Sequence, residues 1–389
     1  MIGPKVSVVM TTYNSSSYLA EAVESILNQT VSDIEFIIVD DGSTDNTWDI
    51  LTQYADCNQR ISLIKNEENL GTAKSSNKGL SLATGEYIAR FDSDDISLPN
   101  RLQEQIRYME ENPSVDLLTT SVEYIDTTGS HIGYYSPPLD PVLLAWKHIF
   151  SSPLRHPTAF WRREQVESFV GNYNPEFRYA LDYEFFARTS RALKVEMLPI
   201  VLVKMRQNPK SISFSKGNLQ DDFAAKVTYQ QFNHYLQQSP LDEQEKADLR
   251  ALLRRHSPLQ SDQFKALDQA RMSRALNNYL MLVSEFYSSH SKGEEPTNFG
   301  AFFENIESEI PNLMHYCSSK NWNSLPPKFT RKYLSKNPSR TVPLTAKLFL
   351  YFTYYKLGEI TFIKGKINKF RTFIQKSDQH KIAKSNGNI

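Results

Sequence analysis

Cysteine is nearly missing from this chain: two in 389 residues, Cys57 and Cys317, set far apart. Two thiols exclude a disulfide framework and supply no metal spacing, so reduced thiols in a cytoplasmic protein are expected. No run of eighteen apolar residues occurs, and so no spanning helix is expected. The nearest approach, Leu344 to Leu357, is interrupted by Lys347 and Lys356. The first residues, Met1-Ile2-Gly3-Pro4-Lys5, lead into a strand-like run with no apolar signal region. An excess of either charge is missing too, with Lys+Arg and Asp+Glu both at 44, which argues against a protein that is basic throughout. The balance conceals an asymmetry. From Arg331 to Ile389 thirteen Lys/Arg face only Glu359 and Asp378, a net +11 that the rest of the chain offsets.

What is present alternates. At this length two domains, or one with a large appendage, are the prior. Val6 to Met10 is a continuous apolar strand of the kind buried on both faces of a parallel sheet. Leu19, Ala22, Val23, Ile26 and Leu27 then form one helical stripe. Strands at Ile34–Val39, Ile61–Ile64 and Tyr87–Phe91 alternate with helices carrying Trp48, Leu51 and Tyr54 and spanning 72–83. Ser43 or Thr44 can cap the first of these helices. Pro99 opens a further helix with Leu102, Ile106 and Met109 inward. The pattern predicts an α/β fold, a mixed, mostly parallel sheet flanked by helices, with ligands at the carboxyl ends of the strands. Mixed elements follow: strands at 117–125, 158–161 and 197–205, and a helix at 182–193. Beyond about Asn218 the chain reads as helical and polar, with helices near 242–255 and 262–287 and a loop at 291–296. The expected division is 1–217, with a nucleotide-binding half (1–112) and an acceptor half (113–217), then a helical region (218–389) whose basic tail starts near 331.

Acidic clusters fall where strands run out. Phe91-Asp92-Ser93-Asp94-Asp95 crowds three carboxylates together, which is costly unless something positive sits among them. Oxygen donors of this kind suit Mg²⁺ or Mn²⁺, and Mg²⁺ commonly uses one or two carboxylates plus substrate phosphates. Asp40-Asp41-Gly42-Ser43 is a second acidic strand end, and Asn14 marks a third. One shared site for a metal and a nucleotide diphosphate is expected there.

The run Val6-Ser7-Val8-Val9-Met10-Thr11-Thr12-Tyr13-Asn14, then Ser25-Ile26-Leu27-Asn28-Gln29-Thr30, Val39-Asp40-Asp41-Gly42-Ser43-Thr44-Asp45, Asn69-Leu70-Gly71 and Asp92-Ser93-Asp94-Asp95 resembles family 2 of the glycosyltransferases. The resemblance covers roughly residues 5–215. It implies a GT-A fold, a Rossmann-like nucleotide-binding half, and an inverting, metal-dependent, hexosyltransferase-type enzyme using a nucleotide-diphospho-sugar. It further implies that Thr12, Tyr13 and Asn14 line the nucleoside pocket and that Asp41 accepts the imide N–H of uracil. Lys74 would meet the diphosphate. Asp92 and Asp94 would form the DxD pair with Ser93 between them, Asp94 binding Mn²⁺ or Mg²⁺ and Asp92 near the ribose or a metal-bound water. Asp182, in Ala180-Leu181-Asp182-Tyr183-Glu184, would be the catalytic base, ionised in the field of its helix start. His156, in Arg155-His156-Pro157-Thr158, and Glu184 would lie on the acceptor side. The family often has Glu-Asp where this chain has Leu181-Asp182, and a late metal-ligating histidine where it has Asn208.

Several readings compete. Lys74 is equally a helix-face lysine, and Trp161, Phe185 and Phe186 suit a core better than a sugar-stacking platform. The aromatic, basic tail suits an anionic membrane surface at the inner face of the plasma membrane or a helical packing module; nucleic acid is disfavoured. The acceptor is expected to be a growing or lipid-linked glycan. The alternative function is a nucleotide-sugar-binding protein with little or no turnover. A nucleotidyltransferase would want a Gly- and basic-rich loop after the first strand, which Thr11-Thr12-Tyr13-Asn14 is not.

Overall fold

The computed structural model describes residues 3–209, 217–254 and 261–290, with 305, 306 and 308. All belong to one compact unit spanning residues 1–321. The 291–296 loop and the basic tail, with both readings of it, lie outside the described residues.

Four parallel strands form the first half of the sheet in the order β3-β2-β1-β4: β1 (Val6–Thr12), β2 (Ile34–Asp40), β3 (Ile61–Lys65) and β4 (Tyr87–Asp92). Alternate residues point to opposite faces, and both faces are covered. Val8, Met10, Phe36 and Ile38 pack with α1 (Leu19–Leu27), α2 (Thr47–Cys57) and α4 (Arg101–Glu111). Val9, Ile37 and Ile88 pack with α3 (Thr72–Leu80), which lies so close that a Cβ on Gly79 would come 2.8 Å from Val9 Cγ1. The register sets Thr12 opposite Asp40 and Thr11 opposite Asp92, so the three acidic or hydroxyl strand ends meet.

The sheet then turns mixed. β8 (Phe160–Arg162) runs antiparallel to β4 and to β6 (Leu117–Ile125). β6 is parallel to β9 (Val195–Arg206), whose end pairs with the two-residue β5 (Ile96–Ser97). The resulting path is β3-β2-β1-β4-β8-β6-β9-β5, with β7 (His131–Tyr135) alongside β6. The expected mixed, mostly parallel sheet flanked by helices is what forms. Short helices α5 (Pro141–Lys147) and α6 (Arg163–Phe169) precede α7 (Leu181–Ala192). After these come α8 (Gly217–Tyr235), α9 (Glu243–Leu253), α10 (Ser261–Lys265) and α11 (Gln269–His290). Asp221 of α8 accepts from Arg250 and Arg254, Asp248 pairs with Arg271, and Trp146 of α5 meets Tyr279 and Phe286 edge-on. Among the described residues no helix is long and apolar enough to cross a membrane.

Some local expectations are corrected. Helix α2 begins at Thr47 with no side-chain cap, because Ser43 is spent on Asp40 and on the Asn14 amide. Thr158 lies in a 3₁₀ turn, His156–Thr158, rather than in the strand that follows it. The helix expected over 262–287 is two, α10 and α11.

Candidate active site

The side of the sheet where a nucleoside was expected is built from loops that lock one another. Asn14 sits at φ 50°, one of two non-glycine residues with positive φ among those described, and its Oδ1 accepts the Thr44 amide at 2.8 Å. That joins the end of β1 to the turn after β2. Thr12 is buried, and its Oγ1 has no hydrogen-bond partner among the described residues; Tyr13 beside it is 46% exposed. Asp41 is 3% exposed and heavily engaged. Its Oδ1 accepts from Asn66 Nδ2, the Leu70 amide and Ser75 Oγ at 2.7–2.9 Å, and its Oδ2 accepts the Gly71 amide at 2.9 Å. Asp41 thus shapes the Asn69-Leu70-Gly71 loop, where Gly71 takes φ 89°, a region costly for other L-residues. Lys74 is exposed in the first turn of α3.

Beneath the acidic turn lies the positive charge that three crowded carboxylates require. Arg90, 1% exposed in the middle of β4, reaches Asp92 Oδ1 at 2.8 Å and Thr11 Oγ1 at 3.0 Å. Arg101, fully buried, donates to the Arg90 carbonyl at 2.9 Å. Arg206, at the end of β9, gives its backbone N–H to Asp95 Oδ1 (2.8 Å) and its Nε to the Asp94 carbonyl (3.0 Å). Its guanidinium also pairs with Glu21 of α1 and lies 4.4 Å over the Tyr18 ring. Ser93 bonds to Ser15 at 2.8 Å. The Asp94 carboxylate is different. No other described residue bonds to it, and burial together with the Asp92 charge pushes its pKa up to about 6. Among the described residues no group of three His, Cys, Asp or Glu is preassembled for a metal. A cation there would draw on Asp94 and Asp92 and on ligands from outside the protein. Asn208 lies two residues beyond β9.

Asp182 lies in the first turn of α7, just after Ala180, the second residue with positive φ (52°). Strained backbone of this kind concentrates at functional sites. Burial raises the Asp182 pKa, outweighing the helix-start amides that lower it, and Asp92 raises it further. The expectation of a low pKa from the helix field alone is corrected: desolvation wins. His156 bonds through Nε2 to Tyr173 OH at 2.8 Å, and burial pushes its pKa down to about 3. Tyr173 is itself fixed, its amide and carbonyl clamped by the Asn77 side chain at 3.0 and 2.7 Å. Glu184 is 6% exposed and held by both Nε and Nη2 of Arg188, each at 2.9 Å. Trp161, Phe185 and Phe186 are core, at 2% exposure or less. Asp92, Asp182, His156 and Tyr173 thus share one electrostatic neighbourhood; Glu184 is committed elsewhere. Sequence reading passed over Arg90, Arg206 and Tyr173. Arg90 left a signal, a charge inside an otherwise apolar strand.

The fold is an α/β architecture with acids gathered at its strand ends, and comparison with known proteins places it in a family. A model described as glycosyl transferase family 2 matches residues 7–167. An uncharacterized glycosyltransferase of Methanocaldococcus jannaschii is 38% identical over 207 residues, 52% of this chain and 71% of that protein. Another, from Haemophilus influenzae, is 30% identical over 247 residues, 61% of this chain and 76% of that protein. In fold, the chain is similar to S. aureus TarS 1–349 in complex with UDP-GlcNAc (TM-score 0.53, 22% identity, 72% of this chain and 81% of that one). The chain belongs to glycosyltransferase family 2. It is accordingly a transferase.

Proposed function

We propose that this enzyme moves a sugar from a UDP-sugar to a hydroxyl acceptor in one inverting displacement, with Asp182 as general base. The observation that carries the reading is the position of Asp182 within the field of Asp92, so that base and acidic strand end serve one site. A base must be ionised yet basic enough to take a proton, and a carboxylate raised by burial suits that. Attack then comes from the face opposite the diphosphate.

Uracil recognition is supported by how Asp41 is occupied. Each carboxylate oxygen has about two acceptor positions; here three donors crowd Oδ1, while Oδ2 accepts the Gly71 amide alone. The remaining capacity, on Oδ2, suits the single imide N–H of uracil; the two-donor edge of guanine would need both oxygens. Thr12, Tyr13 and Asn14 would line the same pocket, Lys74 would approach the diphosphate, and Ser93 would lie between the two acids.

The residues fit a divalent cation, Mn²⁺ or Mg²⁺, because the Asp94 carboxylate is half-buried among like charge with no bond from another described residue. Asp94 would hold it, with Asp92 shared between it and Arg90. When bound it would neutralise the leaving diphosphate. A glycan or lipid-linked acceptor, met at the inner face of the plasma membrane, is supported by the basic, aromatic composition of residues 331–389.

The test is a panel of UDP-, GDP- and TDP-sugars, with and without Mn²⁺, following both binding by calorimetry and nucleotide release. Mn²⁺-dependent release of UDP is expected. Preferred release of GDP would refute the Asp41 reading. Tight binding with no release, with any acceptor tried, would leave the nucleotide-sugar-binding alternative.

A further inference from the structure

We infer that His156 offers its Nδ1–H, as a neutral hydrogen-bond donor, to an oxygen of the sugar being transferred, and that Tyr173 sets the tautomer that makes this possible. The inference rests on the UDP-sugar reading above. His156 opens a 3₁₀ turn stiffened by Pro157, and its ring stands edge-on to Tyr173 (5.5 Å) and to Phe186 (6.2 Å). Tyr173 is 2% exposed, clamped by Asn77 and packed at a 41° tilt against Phe185 at 4.7 Å, so neither ring is free to turn away.

The proton can be placed. A neutral imidazole has one donor and one acceptor nitrogen. Among the charges acting on the Tyr173 phenol the Arg90 guanidinium is the largest and favours negative charge on its oxygen, with Asp92 and Asp182 each opposing it less strongly. Hydroxyl dipoles orient in the protein field, and a cation on the oxygen side turns the O–H away from itself. The hydrogen therefore goes to His156, whose Nε2 accepts at 2.8 Å. Nδ1 must then carry the ring proton. That nitrogen has no partner among the described residues, and it is not among the sealed, unpartnered polar atoms, so it remains open.

Position decides what it meets. His156 and Asp182 both lie in the field of Asp92. Diphosphate belongs with the acidic turn, and a base for inversion belongs on the other side of the anomeric carbon. A donor near both faces the ring between them. An uncharged N–H takes a hydroxyl or acyl oxygen without placing charge beside the reacting carbon. The pKa near 3 keeps His156 uncharged at neutral pH and makes it a poor base there.

Two substitutions separate the nitrogens. His156→Gln places its amide near the Nε2 position, keeping a partner for Tyr173 and removing the Nδ1 donor; His156→Asn places an N–H near Nδ1. Calorimetry on the full chain would compare UDP with whichever of UDP-glucose, UDP-galactose and UDP-N-acetylglucosamine binds tightest. Losing one neutral hydrogen bond should weaken UDP-sugar binding by about tenfold in His156→Gln. His156→Asn should recover most of that, and UDP affinity should hold in both. Nitrogen-15 NMR of histidine-labelled protein should show Nδ1–H in the wild type and a shift toward Nε2–H in Tyr173→Phe. Equal losses for UDP and UDP-sugar, no loss at all, or an Nε2–H wild type would overturn the inference. A wild type that binds none of these ligands would instead fail the UDP-sugar reading, and this inference with it.

Discussion

Asp182→Asn keeps the shape of the side chain and most of its hydrogen bonding but cannot take up a proton. The surroundings indicate how large the loss should be. Glu184 cannot substitute, because Arg188 holds it through two bonds of 2.9 Å. His156 cannot either, with its pKa pushed down to about 3. With no stand-in, transfer should fall toward the upper part of the usual range of about 10²–10⁴ for a positioned base, or roughly 3–5 kcal/mol in the barrier. Donor affinity should stay within a few-fold, so kcat falls while donor KM hardly moves, as for a group acting in the transition state. The pH profile gives a second reading. Burial and the Asp92 charge raise the Asp182 pKa, and a base works only when ionised. Wild-type kcat/KM should therefore decline, as pH falls, through a pKa above the ordinary carboxylate value of about 3.9, and the variant should lack that limb. The assay is initial-rate transfer with a chosen acceptor from pH 4 to 8. Retention of more than about a tenth of the wild-type rate, or an unchanged acid limb, would refute the assignment.

Asp94→Asn should abolish Mn²⁺-dependent UDP binding and, by removing an ionised carboxylate that burial and Asp92 disfavour, raise rather than lower the thermal midpoint at neutral pH, and in the wild type protons should compete with Mn²⁺ as pH drops below about 6; unaltered calorimetric affinity would count against the ligand assignment. His148, 2% exposed and bonded through Nδ1 to Ser190, has its pKa pushed down to about 3 by burial. The folded state then binds fewer protons than the unfolded one below about pH 6.5, so stability falls as pH drops, by up to about 1.4 kcal/mol per pH unit from this group. His148→Asn should remove that slope from the difference between variant and wild-type denaturation curves; an identical slope would disprove a neutral buried imidazole. Gly79→Ala should destabilise although alanine favours helix, because its Cβ would meet Val9 at 2.8 Å. Overpacking of about 1–3 kcal/mol exceeds a propensity gain of about 1 kcal/mol, and a raised denaturation midpoint would show that α3 can shift. Finally, the chain should bind anionic vesicles less well as salt rises, and truncation after about Lys328 should abolish that binding; salt-insensitive or absent binding would favour the packing reading of the tail.

How much of this was legible follows from where each signal lies along the chain. Strands β1, β2 and β4 read clearly because burial on both faces makes them continuous apolar runs, and α1 and α4 because one stripe of each is covered. β7 was missed since its residues are largely exposed: Ile132 is 54% and Tyr134 69% accessible, so no alternation marks it. β5 is two residues long, below any periodicity. The 3₁₀ turn at His156–Thr158 displaced the expected start of β8, because Pro157 favours a turn over a ladder it cannot join.

The site shows the same division in sharper form. Carboxylates at strand ends announce themselves, since a strand pattern and a charged stop are both local. What makes those carboxylates tolerable is not local. Asp95 meets the backbone of Arg206 across 111 positions, Tyr173 is clamped by Asn77 across 96, and Asp41 gathers donors 25 to 34 positions away. Pairings at such separations depend on which strands become neighbours. β4 and β9 bring Arg90 and Arg206 under one acidic turn only because β8 and β6 lie between them in the sheet and β5, which follows the turn, pairs with β9. The sequence names the groups whose charge must be handled, and the topology decides what each of them meets. Asp92 pairs with the Arg90 guanidinium and Asp95 accepts the Arg206 backbone N–H, whereas Asp94 is left with its carboxylate unbonded by any other described residue. That asymmetry among three adjacent acids is invisible in the string Asp92-Ser93-Asp94-Asp95, and it is the physical reason to propose Asp94 as the leading ligand of a cation, with Asp92 shared between it and Arg90.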